Sequence, residues 1–258
     1  MSPSLFLAVL LSVNAERPAP QGKKAPKEVV VLAAAPQEPN EPAFLLLCSG
    51  AKGLQDGKQC RAPAMGTKAK RPKETEHGIG RPVLASPCEL TRSKRPALSL
   101  EPPAPRGPFV AVWPAIESHQ LTPAEDLATR VPDPQTLVAL EAAVAGTPII
   151  DQSLVLDLDR DGKEERLVSV RRKDGPAKLV LLGSEGAQSW RALPTADGAR
   201  TLRLLAVSDL DRDDALELYV FAQLEAGWEL AVFEAEKPIA SLACGPNAAP
   251  LRAPENHR

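Results

Sequence analysis

Apolar residues fall in short blocks separated by proline, glycine and charge along most of the chain. Val29 to Ala35 and Phe44 to Cys48 are unbroken apolar runs of strand length. Val83-Leu84, Leu98 to Leu100 and Phe109 to Trp113 are shorter strand candidates. Pro72, Pro82, Pro87 and Pro96 restrict those strands to edges or break them. The pattern predicts an irregular, proline-rich β region over 29–113, with a mobile loop over Gly66 to Arg81. Two short helices are expected in 114–149. Thr122-Pro123-Ala124-Glu125 combines an N-cap, a proline at the first helical position and a capping-box acid. Asp133-Pro134 opens the second helix on the same logic. Leu137, Leu140 and Val144 then share one face, and Gly146 supplies a left-handed stop.

The C-terminal half carries an internal duplication. Leu154-Val155-Leu156-Asp157-Leu158-Asp159-Arg160-Asp161-Gly162-Lys163-Glu164-Glu165 is one copy. Ala206-Val207-Ser208-Asp209-Leu210-Asp211-Arg212-Asp213-Asp214-Ala215-Leu216-Glu217 is the other, 52 residues on. Each continues in an apolar run, Leu167 to Val170 or Leu218 to Phe221. A turn follows, at Lys173 to Pro176 or Glu225 to Gly227. A third run is Lys178 to Leu182 or Trp228 to Phe233, and a fourth is Ser189 to Leu193 or Pro238 to Ala243. The unit over 150–243 is therefore strand, acidic loop, strand, hairpin turn, strand, with a fourth strand closing it. A period of this size indicates propeller blades or a related β-repeat array. The expected fold class is mainly β: two propeller-blade-like repeats with Asp-rich loops, two short helices and the irregular N-terminal β region.

The acidic loops have a chemical rationale. Calcium takes 6–8 oxygen ligands, and aspartates at alternate positions of a tight loop turn short carboxylates toward one point. Without a cation those charges repel. Positions 1, 3 and 5 are Asp157, Asp159 and Asp161 in the first copy and Asp209, Asp211 and Asp213 in the second. Position 9 is Glu165 and Glu217. Position 6 is Gly162 in the first, where a left-handed turn is easy. In the second it is Asp214, which predicts a weaker or more strained site. An EF-hand is excluded, because its position-12 glutamate is replaced by Val168 and Val220 inside β-like runs. The competing reading is a pair of solvated acidic turns without an ion.

With these residues in view, the segment resembles the FG-GAP, or VCBS-type, calcium-binding β-repeat found in the blades of integrin α-subunit propellers. The shared pattern is D-x-D-x-D-G-x-x-D followed by a hydrophobic strand. The resemblance implies calcium as the cofactor. It implies side-chain ligands Asp157, Asp159, Asp161 and Glu165 with the Lys163 carbonyl. Asp209, Asp211, Asp213 and Glu217 with the Ala215 carbonyl are implied in the second copy. The chain departs from the family at position 9, which is Glu in both copies, and at Asp214. The Phe-Gly and Gly-Ala-Pro words of the family are absent. Two copies do not close a seven-bladed propeller, which leaves a two-unit array completed by 29–113, a partial propeller or an assembly of chains.

Composition sets the compartment and narrows the function. Of 258 residues, 43% are apolar and only 3% aromatic, so stacking recognition is not expected. Residues 16–110 hold 16 Lys or Arg and 9 Asp or Glu, a net of +7, and residues 111–258 hold 15 and 24, a net of −9. The overall charge of −2 argues against a nucleic-acid partner. Leu5 to Leu11 followed by Val13-Asn14-Ala15 resembles a secretory signal over 1–15, without the usual basic start. Residues 16–28 then read as linker and 244–258 as a tail. No run reaches the roughly 20 apolar residues of a membrane span. Cys48 and Cys60 flank the turn signal Gln55 to Lys58, which makes a 48–60 disulfide the most economical. That leaves Cys88 with Cys244, the alternative being four reduced thiols.

Three functional readings follow. The leading one is a secreted or periplasmic, non-catalytic calcium-binding module with a protein or glycan partner. A second is an accessory domain of an extracytoplasmic hydrolase, or a metal-dependent one. A third is a surface adhesin that uses the basic N-terminal half. His77, His119 and His257 are far apart in sequence, and no nucleophile elbow, P-loop or zinc-protease motif is present. The oligomeric state is left open.

Overall fold

In a computed structural model of the protein, alternate residues of the N-terminal apolar run face two different cores. The structure describes residues 28–36, 41–50, 53–83, 97–183, 190–234 and 236–245. The expected signal segment, most of the expected linker, Cys88 and all but the first residues of the tail lie outside these.

Seven strands build the N-terminal part: β1 (Val29–Ala34), β2 (Ala43–Gly50), β3 (Gly53–Asp56), β4 (Lys68–Lys70), β5 (Glu76–Val83), β6 (Ala97–Glu101) and β7 (Phe109–Trp113). They run in the order β1-β7-β4-β5-β6-β2-β3, and β1 also pairs with β2, closing six strands into a barrel. Val30, Leu32 and Ala34 point into the barrel with Phe109, Ala111, Leu45 and Leu98. Val29, Val31 and Ala33 point outward with Val110, Val112 and Phe44. Burial on both faces is why these strands show no polar alternation. Beyond β3 a turn folds back, with Gln59 N–H donating to the Asp56 carbonyl and Lys58 N–H to Asp56 Oδ1. This places Cys60 against Cys48, and the two form the expected disulfide.

The next segment holds β8 (Leu121–Pro123), a 3₁₀ turn (Ala124–Asp126), β9 (Ala128–Thr129) and helix α1 (Pro134–Val144). Asp133 caps α1 by accepting from Thr136 N–H, with Pro134 at the first turn. The duplicated units follow. The first is β10 (Ile149–Leu156), β11 (Glu165–Arg171), β12 (Lys178–Leu182) and β13 (Trp190–Ala192). The second is β14 (Thr201–Ser208), β15 (Glu217–Leu224), β16 (Gly227–Glu234) and β17 (Lys237–Cys244). Each is an antiparallel meander with one borrowed edge strand, β9 beside β10 and β8 beside β14.

The duplication is visible in register. Ile149 pairs with Arg171 and Leu156 with Glu165; 52 residues later Thr201 pairs with Gln223 and Ser208 with Glu217. The two sheets pack face to face. Leu154, Leu167, Leu179 and Leu181 of the first meet Leu204, Leu218, Val220 and Phe233 of the second. The Gln152 side chain spans one repeat, donating to the Leu204 carbonyl (3.2 Å) and accepting from Leu204 N–H (2.8 Å). The second sheet's other face, with Tyr219, Phe221, Leu230 and Val232, covers the outer wall of the barrel. The first sheet's other face, with Val168, Val170 and Val180, is covered by Leu140, Ala143 and Val144 of α1. The layer order is helix, first sheet, second sheet, barrel.

Four expectations are corrected. Gly66 to Arg81 is mostly a hairpin of β4 and β5, part of the barrel wall, in place of a mobile loop. Thr122 to Glu125 forms no α-helix: Leu121, Thr122 and Pro123 pair with Ser208, Val207 and Ala206, and only a 3₁₀ turn follows. In α1 the buried face is Thr136, Ala139, Leu140, Ala143 and Val144, while Leu137 faces outward. The left-handed residue after it is Ala145 (φ 52°), with Gly146 N–H donating to Glu141 carbonyl. Among the described residues there is one α-helix, and none is long and apolar enough to cross a membrane.

Candidate metal centre

Both acidic loops join the first two strands of their meander, β10 to β11 and β14 to β15. Their backbones match. Position 4 is left-handed in each, Arg160 at φ 53° and Arg212 at 63°, and so is position 6, Gly162 at 86° and Asp214 at 75°. Asp214 thus adopts the conformation that Gly162 takes at no steric cost. Position 2 is a buried leucine in each loop, Leu158 and Leu210, which pins the loop to the core. Position 9 closes the loop: Leu158 N–H donates to Glu165 Oε2 (2.9 Å) and Leu210 N–H to Glu217 Oε2 (3.0 Å).

Three carboxylates converge in each loop, with one oxygen of each within 4.8 Å of the others. They are Asp157, Asp159 and Glu165 in the first loop, and Asp209, Asp211 and Asp213 in the second. The fifth and ninth positions therefore exchange parts. Asp161 lies outside the first cluster, where its carboxylate accepts from Lys163 N–H (2.8 Å) and pairs with Lys163 Nζ (3.1 Å). Those contacts hold its pKa below the usual value. Glu217 is wholly buried and outside the second triad. Its Oε2 also accepts from Ser208 Oγ (2.6 Å), which is 2.9 Å from the Tyr219 hydroxyl. Lys163 and Ala215 donate their N–H groups to the Asp161 and Asp213 side chains.

The electrostatics are those of crowded carboxylates. Burial, followed by the Asp211 and Asp209 charges, pushes Glu217 up to about 7 against the hydrogen bonds of Ser208 and Leu210. Burial and then the charge of Asp213 push Asp211 up to about 6, with Glu234 and Asp209 adding to it. Burial raises Glu165 as well, helped by Asp159, Asp157 and Asp161. Asp157 Oδ1, Asp209 Oδ1, Asp211 Oδ1 and Glu217 Oε1 are buried with no hydrogen-bond donor. A buried, unsatisfied carboxylate oxygen is costly unless a cation meets it. Hard oxygen ligands of this kind suit calcium or magnesium better than softer metals. Each donor set could hold a metal ion.

Several residues of this site were not anticipated from sequence. Arg160 of the first loop reaches the second, with Nη1 2.7 Å from Asp209 Oδ2 and 3.5 Å from Asp214 Oδ1. Leu216 N–H donates to the Leu158 carbonyl, a second bond between the loops. Ser208 and Tyr219 stand where the first copy has Leu156 and Leu167, and that polar substitution within a repeat was the available signal. His77 is a core residue, with Nδ1 2.7 Å from the Pro102 carbonyl and its ring edge-on to Phe109. A cleft of about 210 Å³ adjoins the first cluster at Glu165, lined also by Arg130, Asp133, Thr136 and Arg166. Comparison with family models, curated proteins and solved structures finds no match.

Proposed function

We propose that the protein is a secreted or periplasmic calcium-binding module, with two FG-GAP/VCBS-like loops that stiffen one end of the paired sheets beside an interaction surface. The observation that carries this is that three carboxylates gather in each of two loops 52 residues apart, two of them at matching positions, with buried oxygens that lack a donor. One loop of this kind is a weak signal; two with the same left-handed positions and the same strand register are a stronger one. The partner is a protein or glycan. An adhesin based on the basic half is less favoured. Three of its cations are already paired, Lys68 with Glu76, Arg71 with Glu74 and Glu125, and Lys73 with Asp126. Metal-dependent hydrolysis is the second reading, favoured only by the cleft at Glu165.

The test is a calorimetric calcium titration of the chelator-stripped protein, with magnesium as control. Two calcium equivalents with dissociation constants of about 10⁻⁴–10⁻³ M are expected, as for extracellular modules. Asp159→Ala is expected to remove one equivalent and leave the other. Absence of heat and of any stability gain at several millimolar calcium would reduce both loops to ordinary acidic turns.

A further inference from the structure

Arg160 and Asp209 belong to different copies and share an ion pair. Arg160 occupies the fourth position of the first loop, where its left-handed backbone (φ 53°) turns the side chain out of its own cluster. Its Nη1 stands 2.7 Å from Asp209 Oδ2 and 3.5 Å from Asp214 Oδ1. Asp209 opens the second loop and is one of its three converging carboxylates. The Asp209 side chain is only 8% exposed, and its other oxygen, Oδ1, is buried with no donor. One oxygen of Asp209 is thus held by a guanidinium while the other is left unpartnered. The second cluster, all from the second copy, thus carries a counter-charge supplied by the first. The first loop's own ammonium, Lys163 Nζ, pairs instead with Asp161, which lies outside the first cluster.

We infer that Arg160 is a tethered counter-cation of the second loop and sets the affinity of that loop for a divalent cation. The inference rests on the calcium reading above. A divalent ion entering among Asp209, Asp211 and Asp213 shares Asp209 with the guanidinium or displaces it. The two positive charges would stand within several ångströms of each other. Even under solvent-like screening, a unit charge at about 5 Å from a divalent ion weakens its binding by about tenfold. Arg160 also relieves the repulsion among the carboxylates when no ion is present, so the loop keeps its shape in either condition.

The first loop is silenced with Asp159→Asn, and calcium affinity is then measured by calorimetry in that variant and in Asp159→Asn/Arg160→Gln. Circular dichroism in chelator verifies folding, with Arg160→Met as the substitute should the Gln variant fail to fold. The expected result is about tenfold tighter binding in the double variant, or binding there where the single variant has none. A change of less than twofold, or no binding in either variant, would overturn the inference. Calcium binding by the unsubstituted protein separates the two levels. If it binds none, the calcium reading falls and takes this inference with it; if it binds, a null result in the variants removes this inference alone.

Discussion

Glu217 is a carboxylic acid with no exposed surface, beside Asp209 and Asp211, and its pKa lies at about 7 against an ordinary 4.5. The native state therefore holds this proton more tightly than the unfolded chain. The stability it contributes is fully present below about pH 4.5 and is lost as pH rises through about 7. At about 1.4 kcal/mol per pKa unit, the difference is about 3 kcal/mol. Asp211, raised to about 6, acts in the same direction at the lower end of the window. Carboxylates with lowered values, such as Asp133 at about 2, act in the opposite sense but only below pH 4. Thermal melts in chelator between pH 5 and 8 thus isolate the raised groups. The melting temperature is expected to fall by roughly 6–12 °C across that range. Glu217→Gln keeps an acceptor for Leu210 N–H and cannot ionise, so most of the fall should vanish. Calcium, by favouring the charged form, should restore stability at pH 8. A flat profile in the unsubstituted protein, or an undiminished slope in Glu217→Gln, would refute the argument.

Four further outcomes are expected. Leu140→Ala opens a cavity between α1 and the first sheet and should cost about 2–5 kcal/mol, read by denaturant unfolding. Gln152→Ala strands the Leu204 N–H and carbonyl at the sheet interface and should cost about 1–3 kcal/mol by the same assay. Gly227→Ala places a methyl 2.0 Å from the Cys244 carbonyl oxygen at φ 139°, so poor expression or a sharply lowered melting temperature is expected. Reducing the Cys48–Cys60 bridge, which spans 12 residues, should cost about 3 kcal/mol, measured as the difference in unfolding midpoint with and without reductant.

The repeat half was legible because its apolar blocks, turns and acidic loops recur at one interval, and each block is long enough to be a strand. The barrel was only partly so. Gly78 and Gly80 made β5 look like a loop, yet Gly80 is where the chain passes so close to Ser99 that a Cβ would sit 2.2 Å from its hydroxyl oxygen. A glycine crowded by a neighbouring strand is indistinguishable in sequence from one in a flexible tip. The cap-like Thr122-Pro123 was read by local preference, and pairing with Val207 and Ala206 overrode it. In the acidic loops the sequence pattern located both clusters but not their membership. Asp161 and Asp213 hold the same position and accept the same backbone N–H, but Asp161 also pairs with the Lys163 ammonium, for which the second copy has Ala215.

Gln152 joined to Leu204 shows how one meander recognises the next through its backbone, an interaction that any further copy could repeat. What stops the series is chemistry at the two ends. Helix α1 covers one terminal sheet and the barrel wall covers the other, each with apolar side chains suited to that face alone. The stack therefore behaves as a short array with two dissimilar caps. A lengthened version should tolerate an additional meander between residues 200 and 201, where both neighbours are sheets, and should reject one placed outside either cap.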